Sequence, residues 1–199
     1  TDGLSQSNIS NLIDNEVNYI TKPIGFVDNK SDYAYIFEPH EYYAQAAVYK
    51  ILDNGLRVKT ATRSFIMDGR NYDYGTYMIP VQNQELNSDE IYELLNELSV
   101  EYSIHIESKS TGITDGIDFG SNDFAIVEQP KIGLIVGEGV RNYDAGEVWY
   151  LLDARYDIPI TKLDIGDLDL IDLDNYSHIV LPDYESNMIS PEQISDYIN

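Results

Sequence analysis

The sequence predicts an α/β fold in which β-α-β units build a mainly parallel, flavodoxin-like sheet with helices on both faces. Three observations carry that expectation. Short apolar runs alternate with amphipathic stretches of about 10 to 15 residues, the signature of strands joined by helical crossovers. Helix start and stop signals fall between them. The stretch from Pro130 to Ile165 reads as a buried strand, a glycine loop, a helix and a second strand.

The elements follow in order. Ile9, Leu12, Ile13, Val17 and Ile20 form an apolar stripe suited to an amphipathic helix ending before Pro23. "YAYIFE" from Tyr33 reads as a strand, "HEYYAQAAVYKILDNG" as a helix closed by Gly55, and "LRVKTATRSFIM" as the next strand. "GTYMIPV" from Gly75 opens a second unit, continued by a helix started at Ser88 with Asp89 and Glu90 in its first turn, and by a strand around "SIHIES". "STGITDGIDFGSNDF", from Ser110 to Phe124, lacks either periodicity and reads as a long solvated loop. The third unit follows, and "YSHIVLPD" from Tyr176 adds a further strand; the intervening "DIGDLDLIDLD" suits an exposed edge or connection. A soft boundary near residue 128 divides an α/β region, 1–128, from the start of a second domain, 129–199. At the end Ser190, Pro191 and Gln193 make a capping box, so a helix is expected to begin there and the chain reads as a piece of a longer protein.

Charge narrows the partners. The chain of 199 residues carries 12 basic and 35 acidic side chains, a net −23. Such a surface disfavours nucleic acid and anionic lipid and attracts cations and basic peptides. There is no Cys, which rules out disulfides, thiolate chemistry and cysteine metal sites. The opening "TDGLSQSNIS" has neither a basic start nor an apolar run, and no apolar stretch is long enough to span a membrane.

Motifs give no catalytic or metal-binding residue. His40, His105 and His178 stand more than sixty residues apart, in no metal-ligand pattern, and read as structural. The acidic run from Asp164 lacks the glycine and final acid of an EF-hand loop, and "DGIDFGSND" from Asp115 is at most an irregular cation site. No G-x-S-x-G elbow occurs. Tyr42, Tyr43 and Tyr49 read as core or partner-facing. The candidate cleft is the loop after "KIGLIV": Gly137, Glu138, Gly139 and Arg141, with Asp183 at the end of the following strand. Helix amino termini at strand ends present free N–H groups to ligands. The dinucleotide fingerprint fails there, because Asn142 replaces its third glycine and Glu138 places a negative charge where a pyrophosphate would lie. A tight turn into the helix holding Trp149, with that ring packed, is the expected role.

These same residues carry a resemblance. "PKIGLIVGEGVRNYDAGEVWYLLDARYDIPITKLDI" followed by "YSHIVLPD" resembles the carboxyl-terminal region of large bacterial zinc carboxypeptidases of the carboxypeptidase A-like class. That region is similar to a class I glutamine amidotransferase-like, flavodoxin-type domain. "YAYIFEPHEYYAQAAVYKILDNGLRVKTA", "YGTYMIPVQNQ" and "STGITDGIDFGS" resemble the segment such proteins carry before it, so the likeness runs over roughly residues 30 to 199. The resemblance implies a secreted or periplasmic bacterial protein whose zinc belongs to a separate peptidase domain of the same parent chain. The H-x-x-E zinc motif of that family is absent here, and without Cys these residues cannot act as a glutaminase. The expected function is therefore that of a non-catalytic accessory region without catalytic or metal residues or a cofactor of its own. The alternative is a periplasmic-type module binding a cationic or other small ligand in an acidic cleft between the early units and the third. A third, weaker reading is a hydrolase assembled from dispersed residues.

Overall fold

The computed structural model describes residues 23–185. The expected helix over Ile9 to Ile20 and the capping box at Ser190 lie outside them.

The first unit is built on a six-stranded sheet. Its strands are β1 (Phe26–Val27), β2 (Ala34–Phe37), β3 (Val58–Ala61), β6 (Tyr77–Pro80), β7 (His105–Lys109) and β8 (Phe124–Val127), in the order β1-β7-β2-β6-β3-β8. Helix α1 (Ala44–Asp53) links β2 to β3, and α2 (Ser88–Tyr102) links β6 to β7. A hairpin of β4 (Phe65–Met67) and β5 (Arg70–Tyr72) is inserted between β3 and β6. The β-α-β crossovers expected from the sequence are present, but each is split. β6 lies between β2 and β3 and pairs antiparallel with both, and β2 lies between β7 and β6 in the same way. Only β1 with β7 is a parallel pair in this sheet. The unit is thus mixed and mostly antiparallel, the double split β-α-β pattern of ferredoxin-like domains, rather than the parallel layout expected.

Local signals explain the elements. Helix α2 starts with a full capping box: Asn87 Oδ1 accepts from the N–H groups of Asp89 and Glu90, and the Glu90 carboxylate accepts from Asn87 N–H. Helix α1 ends in a Schellman motif, with Leu56 N–H donating to the Ile51 carbonyl and Gly55, at φ 81°, donating to Leu52. The hairpin turns on Asp68 and Gly69, both at positive φ. This Asp-Gly turn follows Met67; the stretch from Leu56 to Met67, expected as one strand, is itself broken at residues 62–64 into β3 and β4.

Both faces of the sheet are covered. On one, Tyr35, Ile79, Ile104 and Ile106 pack under Ala47, Ile51, Ile91 and Leu95 of the helices. On the other, Ile36, Met78 and Phe124 pack under Phe65 and Tyr72 of the hairpin and Ile117 and Phe119 of the loop before β8. The segment expected to be a solvated loop is therefore a lid: Phe119 is 2% exposed. Gly112 lets it approach, since a Cβ there would lie 2.1 Å from the Tyr33 hydroxyl.

The second unit is smaller. Strands β9 (Ile132–Val136), β10 (Ile160–Asp164) and β11 (His178–Val180) pair in the order β10-β9-β11, all parallel. Helix α3 (Asn142–Trp149) follows β9 and runs into a π-helical turn, Tyr150–Arg155. The acidic run after β10 folds into two short 3-10 turns and buries Leu168. The Trp149 ring is not packed as expected: the residue is 37% exposed, with the Lys162 ammonium 5.3 Å from the ring centre.

Replacing Phe119 by Ala is expected to cost about 3–5 kcal/mol, read as a lower urea midpoint. An unchanged midpoint would show that the loop does not cover the second face.

Candidate functional site

The structure brings the candidate cleft residues together and then closes the cleft. Gly137 and Gly139 adopt φ of 112° and 87°, a region that side-chain-bearing residues rarely adopt. A Cβ on Gly137 would lie 2.7 Å from the Asp164 carboxylate, which also accepts from Gly166 N–H. A carboxylate of the chain itself thus stands where the loop could have met an anion. Across from it, the Arg141 N–H donates to the Asp183 carbonyl at 2.8 Å, and the Arg141 guanidinium meets the Asp183 carboxylate at 3.0 Å. Val140 bridges to Tyr184, and Glu185 N–H donates to the Gly139 carbonyl. The ion pair is half exposed and worth at most about 1 kcal/mol; the backbone bonds hold the loops. Glu138 is exposed. The arrangement is a pinned turn at the carboxyl ends of β9 and β11.

The histidines take local partners. His105 Nε2 lies 2.7 Å from Asp28 and the ring stacks on Phe26; His178 Nδ1 meets the Ser177 hydroxyl at 2.9 Å; His40 is 3.9 Å from Glu38. Among the described residues no three His, Asp or Glu side chains are grouped to hold a metal ion. No helix of the described residues is long and apolar enough to cross a membrane.

A charged network that sequence reasoning missed lies beneath the hairpin. Lys109, 7% exposed, donates to Tyr72 Oη at 2.9 Å, to Glu107 Oε2 at 3.1 Å and to Asp68 at 3.3 Å. Tyr72 donates to Glu107 Oε2 at 2.7 Å. Arg70 completes it, pairing with Glu107 Oε1 at 2.6 Å and with Glu38. Period-two spacing places Arg70 and Tyr72 on one face of β5, and Glu107 and Lys109 on one face of β7. That pairing of i, i+2 residues was the available signal, but nothing local joins the two strands. A Lys-Tyr-Glu chain can relay protons, yet here each donor is already committed and Tyr72 is 1% exposed. The network fastens the hairpin to β2 and β7.

Burial works to lower the Lys109 pKa, but its bonds to Tyr72 and Glu107 prevail and hold it above the ordinary value. Burial also pushes the Tyr72 phenol up, outweighing the opposing bond from Lys109.

At the junction of the two units lie two clefts. An apolar one of about 330 Å³ is lined by Val48, Leu52, Val127 and Ile132. An acidic groove of about 160 Å³ is lined by Asp53, Asp153 and Asp157, the last paired with Lys50 at 2.6 Å. No family model, curated protein or solved structure matches the chain.

Both Lys109 and Tyr72 have folded pKa values above their unfolded ones. Their contribution is therefore complete below pH about 10 and is lost as pH rises through the folded values. Lys109→Met should cost about 2–4 kcal/mol at neutral pH and flatten the alkaline loss of stability. Denaturant titrations from pH 7 to 11 check this; an unchanged alkaline limb would refute it.

Proposed function

We propose that this chain is a non-catalytic accessory region of a secreted or periplasmic zinc carboxypeptidase of bacterial type, and that it packs against the peptidase domain of its own parent chain. Proteolysis and its zinc belong to that domain, and no residue of this chain takes part in either. The sequence likeness over residues 30 to 199 motivates the reading. The single structural observation that carries it is the outer surface of α3 and its π-helical turn. Of α3 only Ala145 is buried, while Tyr143 is 90% and Tyr150 54% exposed, with Leu151 and Trp149 near them in the sequence also exposed. Exposed aromatic and apolar side chains on one helix and its following turn are what a surface that meets another protein would present. The parallel order β10-β9-β11, with a glycine turn after the central strand, supports reading residues 129–199 as the beginning of a flavodoxin-type, amidotransferase-like domain.

A second reading rests on the acidic groove at the junction of the units. With Asp53, Asp153 and Asp157 on its walls, it suits a cationic small molecule or a basic peptide, as in a periplasmic ligand-binding module.

The sole Trp of the chain, Trp149, reports on the exposed band directly. Titrating the chain with the purified peptidase domain is expected to shift Trp149 emission to the blue in a saturable way, and Tyr150→Asp with Leu151→Asp to abolish the shift. Emission that stays unchanged, together with a melting temperature that rises with spermidine concentration, would replace the accessory reading by the ligand-binding one.

A further inference from the structure

The lid over the second face of the mixed sheet stops short of one end. There a cleft of about 340 Å³ remains open, within the size range of small-ligand sites. Its floor is apolar, formed by Met78, Pro80 and Ile126, the last 72% exposed. One wall is aromatic: Tyr33 and Phe119 lie nearly parallel, their ring centres 6.4 Å apart.

Lys59 of β3 and Arg57, the residue just before that strand, supply the charge, and both line the cleft. Lys59 sits between Met78 of β6 and Ile126 of β8 in the register of the sheet. Acids outnumber bases 35 to 12 in this chain, and Lys30, Lys50, Arg63, Arg70, Lys109 and Arg141 each reach a carboxylate. Arg57 and Lys59 pair with none among the described residues, and no Asp or Glu lines the cleft. This cleft is basic, unlike the acidic groove at the junction of the units.

The backbone beneath the cations is fixed in place. Gln84 Oε1 accepts from Arg57 N–H at 2.9 Å, and Gln84 Nε2 donates to the Arg57 carbonyl at 3.0 Å and to the Pro80 carbonyl at 2.7 Å. Among the described residues the guanidinium makes one bond, a long one of 3.4 Å to the Gln82 carbonyl.

We propose that this cleft binds a small carboxylate with an apolar body, its head between Arg57 and Lys59 and its body on Met78, Pro80 and Ile126 against the Tyr33–Phe119 wall. The planar guanidinium matches a carboxylate bidentately. The net charge of −23 sets a larger barrier against a dianion such as phosphate than against a monoanion. The site is separate from the α3 surface and does not depend on the accessory reading.

The test is calorimetry and methyl NMR on the full chain with three probes: phenylbutyrate, its neutral amide phenylbutyramide, and inorganic phosphate. Phenylbutyrate is expected to bind and to shift the Met78 and Ile126 methyl signals. The amide should bind at least about tenfold more weakly, and phosphate should leave those methyls unmoved. Arg57→Gln with Lys59→Gln should weaken phenylbutyrate by about tenfold or more while the melting temperature stays unchanged, which separates loss of the site from loss of the fold. Equal affinity for acid and amide, phosphate binding as tightly as phenylbutyrate, or unaltered binding to the double variant would each overturn the assignment.

Discussion

The central strands of the mixed sheet are apolar on both faces, and everything else in the first unit answers that constraint. All four residues of β2 are buried, so its alternate side chains need cover above and below. Two helices cover one side. The other is covered by irregular chain: a short hairpin and a loop that bring Phe65, Tyr72, Ile117 and Phe119 onto the sheet. Irregular covers lack the spacing of a helix to lock them down. Here the Lys109–Tyr72–Glu107–Arg70 network does so, tying the hairpin to β7 through the buried Lys109–Tyr72–Glu107 bonds, which water cannot easily replace, and to Glu38 after β2 through the more exposed Arg70. Where the cover ends, the sheet is left open at Arg57 and Lys59.

Much of the local structure was legible in the sequence, and the long-range order was not. The helices over Ala44–Asp53 and Ser88–Tyr102 follow from apolar spacing, from Gly55 and from the start expected at Ser88, although the residue that caps the second is Asn87, one position earlier. Strand order follows from no such local feature. An alternation of strand and helix is the same whether β6 lies outside β3 or slips between β2 and β3, and the second choice makes the sheet antiparallel. Asp68-Gly69 was a readable hairpin signal, standing directly after the run that ends at Met67. Phe119 could have been suspected as a buried residue in a glycine-rich loop, but its contacts with Phe65 and Phe124 depend on the fold being formed.

The candidate site shows the same division. A tight turn at Gly137 and Gly139 was predictable because only glycine takes those backbone angles readily. That Arg141 would reach Asp183, distant in sequence, and close the cleft was not. Nor could charge counting find the cleft at Arg57 and Lys59. A strongly acidic total hides a local basic pair, and only the packed strands show which cations have no carboxylate to pair with.

The two units differ in how far they satisfy themselves. The mixed sheet is covered on both faces except at the cleft by Arg57 and Lys59, whereas the parallel one has a small core of Ile135, Val140, Leu163 and Leu168 and leaves the surface of α3 to solvent. The accessory role proposed above builds on that difference, with the first unit as a platform and the second as the part a neighbour would complete. Native-state hydrogen exchange measures it most directly. The account predicts that the amides of Tyr35, Ile36 and Ile79 exchange only through global unfolding, while those of Leu134 and Ile135 open at clearly lower free energy in the isolated chain. Equal protection of the two sets would contradict it.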